Sequence, residues 1–189
     1  TTIFVLMFCT DKRQYRLSAA FGMGLQLLYS FYLVFRYSAE RASGNIEQMV
    51  FVHEYKWFDS LNIVFTTGID AISLALIVLT AIVTFTGILV SWKMEKLPKE
   101  FFISLITLAT GVFGFFITID LFTMFLFYEL AVIPMYILIG IWGSGKKEYA
   151  AMKLTLMLMG ASALLLVGIL GLYTYSSPDV NLLSFNILD

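Results

Sequence analysis

Charge is scarce in this chain. Only 13% of its 189 residues are Asp, Glu, Lys or Arg, against about a quarter in an ordinary soluble domain. Cysteine is nearly absent too. The single Cys9 excludes an intramolecular disulfide, and the single histidine, His53, lies far from it, so no metal site is expected. There is no phosphate loop, catalytic triad, haem ligand pair or set of iron–sulfur cysteines, so no cofactor is expected on this chain and it cannot perform redox chemistry alone. Gly22-Met23-Gly24 sits inside an apolar run with no strand before it, which excludes a dinucleotide loop. The net charge of −1 points to no partner. The first apolar run, Ile3 to Cys9, is too short to span a membrane. Its basic neighbours Lys12, Arg13 and Arg16 follow it, whereas a signal peptide carries them in front. Residues 1–9 therefore read as the last turns of a helix whose beginning is missing, and the sequence as a fragment.

What the chain has instead is apolar bulk. Hydrophobic residues make up 60%, with 18 phenylalanines, and the mean hydropathy is +0.88. The expected class is an all-α polytopic membrane protein. A spanning helix needs about 20 largely apolar residues, and runs over 17–35, 69–92, 101–119, 121–142 and 149–173 satisfy that, making six passes with the short first segment. No ten-residue alternation of a membrane barrel is present, so helices must satisfy the backbone polar groups.

Basic residues set the expected orientation. Alternating passes place Lys12, Arg13, Arg16, Lys93, Lys96, Lys99, Lys146, Lys147 and Lys153 on one side, and Arg36, Arg41 and Lys56 on the other. Positive charge favours the inner side, so the N-terminus and residues 176–189 are expected outside. Trp57, Trp92 and Trp142 fall near the predicted boundaries, as an aromatic belt does. The loop over 36–68 is expected outside, with Val50-Phe51-Val52 and Ile63-Val64-Phe65 forming an antiparallel pair of short strands. Thr118-Ile119-Asp120 is so short that the helices it joins must be antiparallel neighbours. Asp70 and Asp120 each suit a helix N-cap. Small residues such as Gly111, Gly114, Gly160, Gly168 and Gly171 read as points of close helix approach.

One carboxylate stands out. Glu129 lies between the apolar stretches Leu121–Phe127 and Leu130–Ile141, roughly 15 Å from one end of its helix and 18 Å from the other at about 1.5 Å per residue. An ionised acid at that depth costs about 2.5–3.5 kcal/mol on insertion scales, and such groups mark proton or ion pathways. The competing reading is a protonated acid bonded across helices for packing. No Lys or Arg lies deep in any span. The nearest, Lys153, differs in depth by roughly 10 Å, so it either holds a water chain leading to Glu129 or snorkels to the interface. Pro134, five residues beyond Glu129, frees a backbone carbonyl near Leu130; it gives Glu129 a polar surrounding or merely kinks the helix.

These residues carry a family resemblance. Ile119-Asp120-Leu121-Phe122, Phe127-Tyr128-Glu129, Ile133-Pro134-Met135-Tyr136 and Ile139-Gly140-Ile141-Trp142-Gly143 closely resemble subunit M of bacterial NADH-quinone oxidoreductase, the counterpart of chain 4 of mitochondrial complex I. Gly68-Ile69-Asp70-Ala71-Ile72-Ser73-Leu74 and Ala150-Ala151-Met152-Lys153 extend the match. The resemblance implies an antiporter-like subunit of fourteen helices with two inverted repeats, set in a bacterial or mitochondrial inner membrane. Its partners are further membrane-arm subunits and the bilayer, with no nucleic acid. NADH, FMN, iron–sulfur clusters and quinone belong to other parts of the parent complex. The acid matching Glu129 pairs in that family with a lysine on the seventh helix, beyond this sequence, and a further lysine matches Lys153. The position before the acid is usually Trp in the family and is Tyr128 here. The expected role is proton transfer through Glu129, coupled to quinone reduction elsewhere. A subunit of a multisubunit sodium/proton antiporter, and a structural or assembly subunit with an inert Glu129, are the alternatives.

Overall fold

The computed structural model describes residues 2–8, 12–43, 49–58, 63–175 and 185. The elements in order are α1 (Thr2–Phe8), α2 (Lys12–Ala42), β1 (Val50–Phe58), β2 (Ile63–Ile69), α3 (Ala71–Val90), α4 (Pro98–Ile117), α5 (Leu121–Trp142) and α6 (Lys147–Tyr175), with one 3-10 turn at Ser91–Lys93 after α3. Five of these helices, α2 to α6, are long and apolar enough to cross a membrane. Consecutive helices pack side by side, α2 on α3, α3 on α4, α4 on α5 and α5 on α6, while α1 rests on both α2 and α4. Leu6, Ala19, Ala81, Ile88 and Phe102, each 1% exposed or less, form the centre of the packing among α1 to α4. The outward faces carry Phe21, Phe35, Val90, Leu164 and Val167, all two-thirds exposed or more. In an aqueous protein such surface is a liability; on membrane-spanning helices it suits contact with lipid or with other apolar helices.

The apolar runs locate the helices, but several ends fall elsewhere. α2 extends well past 17–35 in both directions. Lys12, Arg13 and Arg16, expected in a loop, lie in its first turns, and Arg36 to Ala42, expected in the outer loop, complete it. The apolar segment marks only what the bilayer requires; polar residues with adequate helix propensity, such as Glu40, Arg41 and Ala42, continue the ladder beyond it. α4 begins at Pro98, a residue whose missing N–H costs nothing at the first helical position. Ile69, expected to open the third helix, is the last residue of β2. Asp70 then caps α3 by accepting the Ser73 N–H at 2.7 Å.

The strands are longer than the triplets that announced them. They pair antiparallel with His53 opposite Thr67 and Tyr55 opposite Phe65, and the register slips between Val50 and His53. Phe51, at that bulge, takes a left-handed φ of 60°. β2 also reaches the link between α4 and α5: Thr67 bridges Thr118, and the Ile119 N–H donates to the Thr66 carbonyl at 2.9 Å. At the opposite end of the bundle Arg16 Nη2 donates to the Met94 carbonyl at 3.1 Å. There too Trp142 Nε1 donates to the Lys96 carbonyl at 2.6 Å. One end therefore carries the strand pair with Lys56, and the other the remaining lysines, as alternating passes require. Thr1, Cys9, residues 44–48 and nearly all of 176–189 lie outside the described residues, and with them the expectations placed there.

Candidate functional site

α5 owes its shape to its two ends. Asp120 precedes it in extended conformation and is 1% exposed. Its Oδ2 accepts both the Thr123 N–H at 2.7 Å and the Thr123 hydroxyl at 2.6 Å, while the Leu121 N–H donates to the Phe185 carbonyl at 3.0 Å. Burial pushes the Asp120 carboxyl above its ordinary value, and the Thr123 hydrogen bonds only partly offset it. At the far end, Lys96 Nζ and Lys147 Nζ donate to one oxygen, the Ile141 carbonyl, at 2.9 and 2.8 Å. Cations at a helix C-terminus meet its negative dipole end. The Lys147 ammonium lowers the pKa of exposed Lys96. Between these ends the helix is unbroken through Pro134, which is buried.

Glu129 sits about 12 Å along α5 from Leu121, at 1.5 Å per residue. It is half-buried, and its Oε1 is buried with no hydrogen-bond partner. It lies one turn beyond Phe125, which packs against the cluster of Ile169 and Phe185, so it stands on the same stripe of the helix. An unsatisfied buried oxygen costs about 1–3 kcal/mol and more when charged. A native structure keeps such a group where something else meets it or where its proton moves.

Lys153 is not brought to it. It lies on the second turn of α6 and is exposed. It lines a shallow depression of 390 Å³ with Tyr149, Met152, Leu156 and Met157. No ion pair joins the two residues among those described. Among the described residues no group of His, Cys, Asp and Glu could hold a metal ion.

A groove of 380 Å³ between α4, α5 and α6 was not read from the sequence. Tyr128, Val132 and Met135 line it on α5 and Leu158 on α6, and its walls are apolar. The spacing of those three α5 residues is the signal that one helix face, adjoining Glu129, lacks polar cover. Gly111 explains how α4 comes so close. A Cβ there would lie 3.0 Å from both the Cβ and the backbone N of Ala131, and 3.1 Å from the Phe127 carbonyl oxygen. Gly114 plays the same part against the Phe127 ring. The close-approach reading fails, within this chain, for Gly160, Gly168 and Gly171, which have nothing within 4 Å of a Cβ.

Residues 118–188 match a family model described as NADH:quinone oxidoreductase/Mrp antiporter, transmembrane. Over these residues the chain is similar to that antiporter family. It contains Glu129, Pro134 and Lys153, so the resemblance read from the sequence is supported where its most specific motif lies. The chain is 34% identical over 158 residues to chloroplastic NAD(P)H-quinone oxidoreductase chain 4 of Mesostigma viride, covering 82% of this chain and 30% of that protein. It is 32% identical over 128 residues to NAD(P)H-quinone oxidoreductase chain 4 2 of Trichodesmium erythraeum (strain IMS101), covering 68% and 23%. The chain thus spans under a third of the length of these relatives. In fold it is similar to a chain of the membrane-bound sulfane sulfur reductase, an archaeal respiratory membrane complex, with a TM-score of 0.70 at 19% identity, over 92% of this chain and 34% of that one. An all-α polytopic membrane protein follows from the helices and these similarities together.

Proposed function

We propose that the chain is part of an antiporter-like, proton-translocating subunit of a respiratory quinone oxidoreductase, in which Glu129 takes up and releases the transported proton. The observation that carries this reading is the buried, unpartnered Oε1 of Glu129 within a membrane-spanning helix. A carboxyl group held there exchanges a proton whenever a cation or water approaches, and the cost of leaving it ionised without one returns the proton. The relatives' names supply the context of the parent complex. NADH, FMN, iron–sulfur clusters and quinone act in its other subunits, and this chain contributes no redox centre. The lysine-rich end faces inward and the strand pair outward, on the balance of basic residues. Lys153, at the lysine-rich end, extends the route between Glu129 and the inner surface through water. The family description also names Mrp antiporters, so exchange of sodium for protons is the second reading.

The test uses the full-length subunit in its assembled complex, with Glu129 replaced by Gln or by Asp. The rate of proton transfer through this subunit is expected to fall about a hundredfold in Glu129→Gln, the range set by removing one positioned proton-transfer group. Glu129→Asp, which keeps the acid on a shorter stem, is expected to retain part of the rate. Normal pumping by correctly assembled Glu129→Gln complex would falsify the reading. Sodium-dependent proton movement without quinone reduction would transfer it to the second.

A further inference from the structure

A cavity of 440 Å³ opens at the strand-bearing end of the bundle, between α2 and the bulged start of β1. That volume is within the range of small-molecule sites. Its polar lining includes Tyr29, Tyr32, Arg36 and His53. The Arg36 guanidinium lies 6.0 Å from the centre of the Phe51 ring, and Phe51 reaches that position through its left-handed backbone at the bulge. His53 donates from Nδ1 to the Phe51 carbonyl at 2.9 Å, because a carbonyl can only accept, and this holds the imidazole at the cavity wall.

Three further facts decide what the cavity takes. Arg36 has no carboxylate partner, and the Tyr29 and Tyr32 hydroxyls have no hydrogen bond, among the described residues. No Asp or Glu lines the cavity. Apart from Thr67, whose hydroxyl donates to the His53 carbonyl at 3.4 Å, the remaining wall is apolar, with Leu33, Ile69 and Ile117 on three different elements. An exposed guanidinium and two exposed tyrosine hydroxyls facing one cavity favour an anion, since guanidinium binds phosphate oxygens through parallel N–H bonds. The apolar wall calls for hydrocarbon attached to it. The position supplies the source: Arg36 follows Phe35, at the end of an exposed apolar face of α2 that includes Phe21, Leu25 and Leu28.

We infer that the cavity formed by Tyr29, Tyr32, Arg36, Phe51 and His53 binds the phosphate of one phospholipid bearing a net negative headgroup, with its glycerol and upper acyl chain against Leu33 and Ile117. A choline headgroup would set a second cation near Arg36 with no carboxylate in the lining to receive it, which selects against zwitterionic lipid. This site is independent of Glu129 and of proton transfer.

The experiment places the full-length protein, in its complex, in bilayers containing phosphatidylglycerol or phosphatidylcholine that carries a photoactivatable group on the acyl chain. Cross-linked peptides are then mapped. Labelling by the phosphatidylglycerol probe is expected on the segments around Tyr29–Arg36 and Phe51–His53. It is expected to drop about tenfold in Arg36→Gln, the effect of losing a charge-assisted contact, and to recover in part in Arg36→Lys. Tyr32→Phe, which removes one oxygen and leaves the ring, is expected to lower it about threefold. Equal labelling of Arg36→Gln, or equal labelling by the phosphatidylcholine probe, overturns the inference. So does displacement of the lipid probe by excess inorganic phosphate, which would mark a site for the free anion.

Discussion

Gly111→Leu in the full-length protein is expected to prevent α4 and α5 from closing. The Cβ alone would meet Ala131 and the Phe127 carbonyl at 3.0–3.1 Å, and two of those three contacts are backbone atoms that no rotamer change can move aside. Alanine at this position asks the neighbour to yield a few tenths of an ångström. Leucine adds three more carbons in the same direction, and overpacking of that kind costs about 1–3 kcal/mol or more. Membrane helices gain little from hydrophobicity in associating, so they depend on close contact between small residues. The loss therefore falls directly on the α4–α5 pair. Gly111→Ala is the matched comparison, because its Cβ alone asks the neighbour to give by only a few tenths of an ångström. Yield of monodisperse protein in detergent, and its midpoint of thermal unfolding, should separate the two. Equal behaviour of the variants would show that the α4–α5 contact is not formed at Gly111.

Asp120 carries the second large effect. Asp120→Leu removes the acceptor of both Thr123 groups and leaves them buried, which costs about 2–4 kcal/mol when the lost cap and the orphaned donors are combined. Asp120→Asn keeps an acceptor and should cost less than half of that. The pH dependence has a definite sign. Burial raises the folded-state carboxyl pKa above its ordinary value, so the folded protein holds that proton more tightly than the unfolded chain does. Its contribution is fully present below the ordinary carboxyl pKa and is lost as pH rises through the raised folded value. Asp70 runs the other way. Burial opposes its ionisation, yet the hydrogen bonds from Ser73 and Ile72 together lower its pKa, and its contribution is lost as pH falls. Thermal unfolding across the mildly acidic range should show the first component vanish in Asp120→Asn and the second vanish in Asp70→Asn.

The sequence made the spans legible because each apolar run is long enough to state its own environment. Glu129 stood out as a candidate for the same reason, a carboxylate amid phenylalanines and leucines, and the structure leaves its Oε1 buried and without a hydrogen-bond partner. Asp70 and Asp120 were readable as caps, since a short acid before an apolar run satisfies the first amides whatever surrounds it. Contacts between distant residues were not legible. The Thr67–Thr118 bridge, the meeting of Lys96 and Lys147 on one carbonyl and the grouping of Arg36 with His53 depend on how helices are set side by side. The end of α2 was misplaced because residues 36–42 look like loop by polarity, although a helix leaving the bilayer loses nothing by continuing in water. The glycines of α6 show the limit of reading by residue type: Gly111 is pressed by a neighbour and Gly168 is not.

α5 is anchored twice. Its first turn is tied through Asp120, Ile119 and the Phe185 carbonyl, and its last through two lysines on the Ile141 oxygen. A rod tied at both ends resists sliding as a unit, so displacement is favoured as bowing between the supports. Pro134 lies in that interval, and the carbonyl near Leu130 lacks its ordinary partner there. The section of the helix that lacks one backbone hydrogen bond is therefore the section next to Glu129, and bending is expected there first.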